Sequence, residues 1–306
     1  MIDTRTRLQG LWLPLITPFR DGALDEPSLR ELIRHYAAKP IDGLVLGATS
    51  GEGLALSWDE RARLVHTVRD ELAAIGRALP ICLGVGGVAT SDLIEALDRT
   101  ASWPIDFYLI SSPPYVRPSQ RGLLAHFTAL ADRAAHPIVL YNIPYRSAVG
   151  LDNDTLLQLA AHPVIAGLKD CCANRAQTQD LIARRPAGFG ILTGEDAQSF
   201  DALRAGADGA ILLSAHLETE TFAAILQHVR AGRHDAAAAC WAQVEGLTRL
   251  LFTEPSPAPA KYWLARIGLI ASAQLRLPMV EVGPELAARL DQEIERRRPA
   301  TQGRVA

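Results

Sequence analysis

The strongest constraint on this chain is a count of eight. Short apolar runs recur along its 306 residues, and amphipathic stretches with helical spacing fill the intervals. The runs are "LWLPLITPF" (11–19), "GLVLG" (43–47), "PICLGVG" (80–86), "DFYLISSP" (106–113), "PIVLYNIP" (137–144), "VIAGLKD" (164–170), "GFGILTG" (188–194) and "GAILLSA" (209–215). They are continuously apolar rather than alternating, as strands covered on both faces must be. Eight such strands, each followed by a helix, have one economical closure, a (β/α)8 TIM barrel of the α/β class. The right-handed crossover rule favours it, and the first 230 or so residues suit a barrel of about 250. An open doubly wound sheet is the competing arrangement. Its G-x-G-x-x-G fingerprint after the first strand is missing, and "LITPFRDG" stands there instead.

The helical stretches carry their own start signals. Ser57 precedes "WDERARLVHTVRDELA" with Glu60 three residues on, the pattern of a capping box. Thr90 or Ser91 is expected to cap "DLIEALDRTA" in the same way. From about residue 233 the pattern is helical throughout, interrupted by the proline-rich joint "TEPSPAP" (253–259). The expected organisation is a catalytic barrel over 1–232 and a helical extension over 233–306. The extension would pack on the barrel or on a partner, and its last few residues would fray.

Charge and cysteine content narrow the functional classes. The 31 basic and 34 acidic residues leave a net charge of −3 with no basic block, which speaks against nucleic-acid or anionic-membrane partners. Cys82, Cys171, Cys172 and Cys240 form no C-x-x-C pair and have no zinc-ligand spacing, so free thiols in a reducing compartment are expected. The histidines lack H-x-x-x-H and H-E-x-x-H spacing, so no metal site is expected. The N-terminus carries no apolar signal core and no run reaches the ~18 apolar residues of a spanning helix. A cytoplasmic protein is the expectation.

A barrel places its active site at the C-terminal ends of its strands. Polar residues crowd there: Thr17; Thr49, Ser50 and Glu52; Ser111, Ser112 and Tyr115; Tyr141, Asn142 and Arg146; Lys169 and Asp170; "TGED"; Ser214 and His216. Lys169 is conspicuous, because the chain has only three lysines against 28 arginines. An amine buried at a barrel mouth has a lowered pKa and can form a Schiff base with a ketone. The plain alternative is an ion pair with Asp170 or Glu195. Tyr141, ending the neighbouring strand, could shuttle protons or simply pack. The "TSG" turn suits a carboxylate or an ordinary helix cap, and Arg146 could grip a second carboxylate or lie solvated on the surface. Cys171 and Cys172 read as small packing residues.

Taken in order, "ITPF", "ATSGEG", "SPPYVRPSQRGLLAHF", "LYNIPYRSAVGL", "VIAGLKD", "TGED" and "EPSPAPAKYWLARIGL" resemble the dihydrodipicolinate synthase/N-acetylneuraminate lyase family of pyruvate-dependent class I aldolases, over residues 10–280. The resemblance implies that Lys169 forms the imine with pyruvate and that Tyr141, Thr49 and Tyr115 relay protons, Tyr115 across a tight dimer interface. It implies that Thr49 and Ser50 bind the pyruvate carboxylate, that Ile211 lines the pyruvate pocket and that Arg146 takes the carboxylate of an aldehyde substrate. No cofactor beyond the lysine imine is implied. The assembly implied is a homotetramer of two tight dimers.

Arg146 points to the synthase branch, condensation of pyruvate with aspartate semialdehyde on the route to lysine and diaminopimelate. A paralogue acting on 2-keto-3-deoxy sugar acids, as aldolase or dehydratase, is the nearest alternative. An inactive barrel serving as a binding protein is disfavoured by the intact residue set. Three departures stand out: Ala48 for the first glycine of the "GTTGE" pattern together with Ser50 for its second threonine, "LLSAH" in place of "SV-x-x-N" after strand 8, and the residues at the feedback-lysine positions. These are Trp58, Arg61, Val88 and Pro114, and at most of these positions polar or aromatic ligands are expected in regulated members. Lysine should therefore inhibit weakly or not at all, and half-inhibition at submillimolar lysine would contradict this.

Overall fold

The continuity of the apolar runs is explained by their surroundings. The structure, a computed structural model, describes residues 8–297. Its strands are β1 (Gly10–Pro14), β2 (Gly43–Leu46), β3 (Ile81–Val85), β4 (Phe107–Ser111), β5 (Ile138–Asn142), β6 (Ile165–Asp170), β7 (Gly190–Thr193) and β8 (Gly209–Ile211). Every strand residue is buried except Ser111, which is half-buried. All eight are parallel and follow chain order, and the sheet closes because Trp12 of β1 pairs with both Gly43 of β2 and Ile211 of β8.

Alternation then sorts the side chains into two layers. Trp12, Val45, Cys82, Phe107, Leu109, Val139, Leu192 and Ile211 fill the barrel, with Trp12 and Phe107 edge to face at 5.8 Å. Leu13, Leu44, Leu83, Ile110, Leu140 and Leu168 face outward, under the helices.

Those helices are α1 (Glu26–Ala37), α2 (Trp58–Ala74), α3 (Thr90–Thr100), α4 (Gln120–Arg133), α5 (Asn153–Leu159), α6 (Arg175–Arg184), α7 (Ser199–Arg204) and α8 (Thr219–Arg230). The capping box of α2 is present, with Ser57 and Glu60 bonded reciprocally. The cap expected for α3 is not. Ala89 occupies the N-cap position, and the Thr90 hydroxyl bonds His126 Nδ1 at 2.8 Å instead. A neighbouring helix competed successfully for that hydroxyl.

The first and last strands are shorter than their apolar runs. β1 gives way after Pro14 to a segment leading into a small antiparallel ribbon, Phe19–Arg20 with Ala23–Leu24. β8 gives way after Ile211 to a tight turn, Leu213–His216. His216 joins the two ends. Its Nε2 accepts the Ile16 N–H at 3.3 Å, its Nδ1 is 2.9 Å from the Leu213 carbonyl, and its own carbonyl accepts the Tyr36 hydroxyl at 2.8 Å.

The extension comprises α9 (His234–Leu250), α10 (Ala258–Arg266) and α11 (Pro284–Arg297). It packs on the barrel: Trp241 of α9 stacks on Phe200 of α7 at 5.7 Å. Leu247, Leu251, Trp263, Leu286, Leu290 and Ile294 form a small core of its own. The fraying expected of the last residues falls on 298–306, outside the described residues. Among the described residues no helix is long and apolar enough to cross a membrane.

Burial holds the His216 imidazole down at about 4, so it is neutral in the fold. Its folded pKa lies below the 6.5 of the unfolded chain, so its contribution to stability is intact above pH 6.5 and is lost as pH falls toward 4. We expect about 3 kcal/mol of acid-side destabilisation from this group. Urea titrations between pH 7 and 4 should show that limb, and His216→Gln should flatten it.

Candidate active site

Strand register places the key side chains in one row at the rim. Ser111 of β4 lies opposite Tyr141 of β5, Tyr141 opposite Lys169 of β6, and Lys169 opposite Leu192 of β7. Period-two alternation turns Lys169 and Tyr141 inward and Asp170 outward. The Asp170 carboxylate accepts the Thr178 hydroxyl at 2.7 Å, the Cys172 N–H at 3.0 Å and the Asn142 amide at 3.4 Å. It is therefore committed away from the lysine. Among the described residues neither Asp170 nor Glu195 forms an ion pair with Lys169.

Lys169 is 5% exposed, and its Nζ lies 4.3 Å from the centroid of the Tyr141 ring. Burial pulls the amine below the ordinary lysine range, and the Arg146 charge adds to the effect, while the nearby thiols and Asp196 oppose it. Gly194 makes room for this side chain. A Cβ there would sit 2.4 Å from Lys169 Cε and 2.7 Å from Cys171 Sγ.

Tyr141 is held as the neutral phenol. Burial raises its pKa well above the usual value, against a hydrogen bond from the Thr49 side chain. Cys171 lies close by, with Sγ 4.0 Å from the Tyr141 hydroxyl. Burial pushes its thiol up to about 12, which leaves it un-ionised.

Thr49 is brought to Tyr141 by the turn after β2. The Glu52 N–H donates to the Thr49 carbonyl at 3.1 Å and the Gly53 N–H to the Ala48 carbonyl at 3.2 Å. Gly53 packs so closely that a Cβ would fall 1.6 Å from the Gly47 carbonyl oxygen. Thr17, fully buried, donates its hydroxyl to the Gly51 carbonyl at 2.7 Å.

A cavity of about 470 Å³ opens beside this turn. Thr49, Ser111, Ser112, Tyr141 and Arg146 line it, and Leu277, Pro278 and Met279 of the extension form part of its wall. Lys169, Ser50 and Ile211 are buried and do not reach the wall. Arg146 is exposed beside Tyr145, its guanidinium carbon 5.4 Å from that ring centroid, and no carboxylate pairs with it among the described residues. Tyr115 stands apart: it is 90% exposed, at a left-handed φ of 75°.

Sequence reasoning placed Glu52 at the rim but missed the two residues that hold it, Lys261 and Arg276. Glu52 pairs with Lys261 of α10, and Arg276 binds both Glu52 and Glu60. The signal was present, since Lys261 is another of the three lysines and sits in an apolar stretch. The same argument that singled out Lys169 applied to it.

A closed barrel with a buried amine on its sixth strand, unpaired among the described residues and next to a buried phenol, defines a class I aldolase-type lyase. Comparison with known proteins narrows the class. The model of the dihydrodipicolinate synthetase family matches residues 7–297, and the chain belongs to that family. It is 40% identical to 4-hydroxy-tetrahydrodipicolinate synthase 2 of Clostridium acetobutylicum over 93% of this chain and 99% of the relative. It superposes with a TM-score of 0.89 on the 4-hydroxy-tetrahydrodipicolinate synthase of Methylacidiphilum fumariolicum SolV, at 31% identity, covering 94% of this chain and 95% of the other. The chloride-inhibited dihydrodipicolinate synthase of Acinetobacter baumannii, complexed with pyruvate, gives a TM-score of 0.89 at 28% identity, covering 94% and 98%.

Because the folded pKa of Lys169 lies below its unfolded value, the buried amine destabilises the fold, fully below the folded pKa and no longer above the unfolded 10.5. Lys169→Met should therefore raise the Tm by a few degrees at pH 7, with the gain shrinking as pH approaches 10. A variant no more stable than the parent at pH 7 would contradict the burial cost.

Proposed function

We propose that the protein is a 4-hydroxy-tetrahydrodipicolinate synthase, condensing pyruvate with aspartate semialdehyde through an imine on Lys169. The observation that carries this reading is the buried Lys169 amine, unpaired among the described residues and 4.3 Å from the Tyr141 ring centroid. The names borne by its relatives support the substrate pair.

The chemistry follows from the residues. Neutral Lys169 attacks the pyruvate ketone, and loss of water gives the imine. The protonated imine draws electrons from the neighbouring methyl, whose proton leaves through Tyr141 to give the enamine. Thr49 lines the cavity together with Tyr141, and its hydroxyl continues the relay. Ser50 and the turn N–H groups serve the pyruvate carboxylate, and Ile211 packs against the methyl end. The enamine carbon attacks the aldehyde carbon of the second substrate, re-forming the protonated imine, while the aldehyde oxygen takes a proton back through the Tyr141 relay and becomes a hydroxyl. The substrate amine then adds to the imine carbon and displaces Lys169, closing the ring and freeing the enzyme. Arg146 holds the carboxylate of the aldehyde substrate as a forked ion pair. No cofactor takes part.

Tyr115 completes the relay of a neighbouring protomer. Its 90% exposure and left-handed backbone support this, as do the exposed Leu54 and Val116. We propose a tight dimer across this surface, doubled into a tetramer, working in the cytoplasm where the four cysteines stay reduced.

Pyruvate with borohydride, followed by mass measurement, should leave one reduced adduct on Lys169, and none on Lys169→Ala. An unmodified wild type would overturn the imine mechanism. Aspartate semialdehyde should then outperform sugar-acid aldehydes in a coupled assay. Arg146→Ala should lower kcat/KM for the semialdehyde about 100-fold, the loss expected of a charge-assisted pair worth about 3 kcal/mol, with pyruvate trapping unchanged.

A further inference from the structure

We infer that the C-terminal extension belongs to the catalytic apparatus, with Lys261 and Arg276 acting through Glu52 as positioning residues for the turn that presents Thr49 to Tyr141. The inference rests on the proposed imine chemistry.

Three observations converge on Glu52. It is buried, and its φ of 48° puts a side chain other than glycine in the left-handed region, a conformation that its surroundings must hold in place. Its N–H is bonded to the Thr49 carbonyl, so any shift of Glu52 passes to Thr49 across one hydrogen bond. Its carboxylate is gripped from 209 and 224 residues away, because Oε1 accepts the Lys261 ammonium while Oε2 accepts the Arg276 N–H at 3.0 Å.

The grip is itself well anchored. Lys261 is fully buried, donates to the Gln274 carbonyl at 2.9 Å and lies 4.3 Å from the Phe19 ring centroid. The Arg276 guanidinium chelates Glu60, the capping-box residue of α2, and donates to the Ala55 and Gly22 carbonyls, each at 2.8 Å. The two cations thus brace both the turn and the start of the helix that follows it.

Stability alone is a poor account of this arrangement. Taking both charges of an ion pair out of water costs about as much as their attraction returns, and an apolar pair of equal volume usually does as well. Burial draws the Lys261 amine down to about 8 even with Glu52 beside it, so desolvation outweighs the pairing. What the pair supplies that an apolar contact would not is direction: an ammonium within hydrogen-bond reach fixes the carboxylate, and the carboxylate fixes the turn.

The test is a double-mutant cycle on the full chain, with kcat counted per site that pyruvate and borohydride can trap. Lys261→Met should lower kcat 10- to 100-fold in the parent while leaving the fraction trapped at saturating pyruvate within about twofold. In a Thr49→Val background, where the relay is already broken, the same change should cost less than threefold. Arg276→Gln, which keeps the backbone donor to Glu52, should show a smaller loss of three- to tenfold with the same dependence on Thr49, and decides the matter if Lys261→Met does not fold. Equal losses in both backgrounds, or an unchanged kcat per trapped site, would overturn the assignment. An untrappable wild type would instead overturn the imine reading on which it rests.

Discussion

Everything at the site depends on the closure of the sheet. Because β1 pairs with β2 on one side and β8 on the other, no strand of the barrel is left with an open edge. Closure also removes a freedom. Once the ring is shut, each strand's register is set by its neighbours, and the inward or outward sense of every side chain follows. Lys169 faces Tyr141 and Asp170 faces the helices for this reason alone. A slip of one residue in β6 would exchange them, putting a carboxylate beside the phenol and the amine under α6.

Two of the three lysines end up buried, and their surroundings separate their tasks. Lys261 has Glu52 within ion-pair distance and a carbonyl as second acceptor. Lys169 has an aromatic face and two un-ionised thiols. The first environment keeps a charge in a fixed place. The second makes the charge expensive and the neutral amine, the form that attacks a ketone, easier to reach. Burial is common to both; a carboxylate within hydrogen-bond reach, present at Lys261 and lacking at Lys169 among the described residues, decides what burial does.

Much of this was legible in the residues. The eight runs identified the strands because parallel strands covered on both faces are apolar throughout, and the scarcity of lysine against 28 arginines drew attention to Lys169. What was not legible depended on distant partners. The ends of β1 and β8 read as strand because Leu15, Ile16 and Leu212 are apolar, yet His216 takes the Ile16 N–H and the chain turns away. Thr90 read as a helix cap, but His126 from the next helix claimed its hydroxyl. Asp170 read as a candidate partner for Lys169 because adjacency in sequence is blind to the face of the strand. Glu52 and Lys261, 209 positions apart, could be joined only once the extension was seen folded against the rim.

The thiol beside the amine has a consequence for selectivity. A ketone that reaches Lys169 also comes within range of Cys171, and sulfur is ordinarily the better nucleophile of the two. Thiolate addition would divert substrate into a hemithioketal that cannot proceed to an enamine. The same dry surroundings that push the amine toward its uncharged, reactive form push the thiol toward its protonated, unreactive one, at a pKa of about 12. Burial acts on a base and an acid in opposite senses, so one environment switches nitrogen on and sulfur off, and the barrel mouth tolerates a cysteine where a more polar site would not.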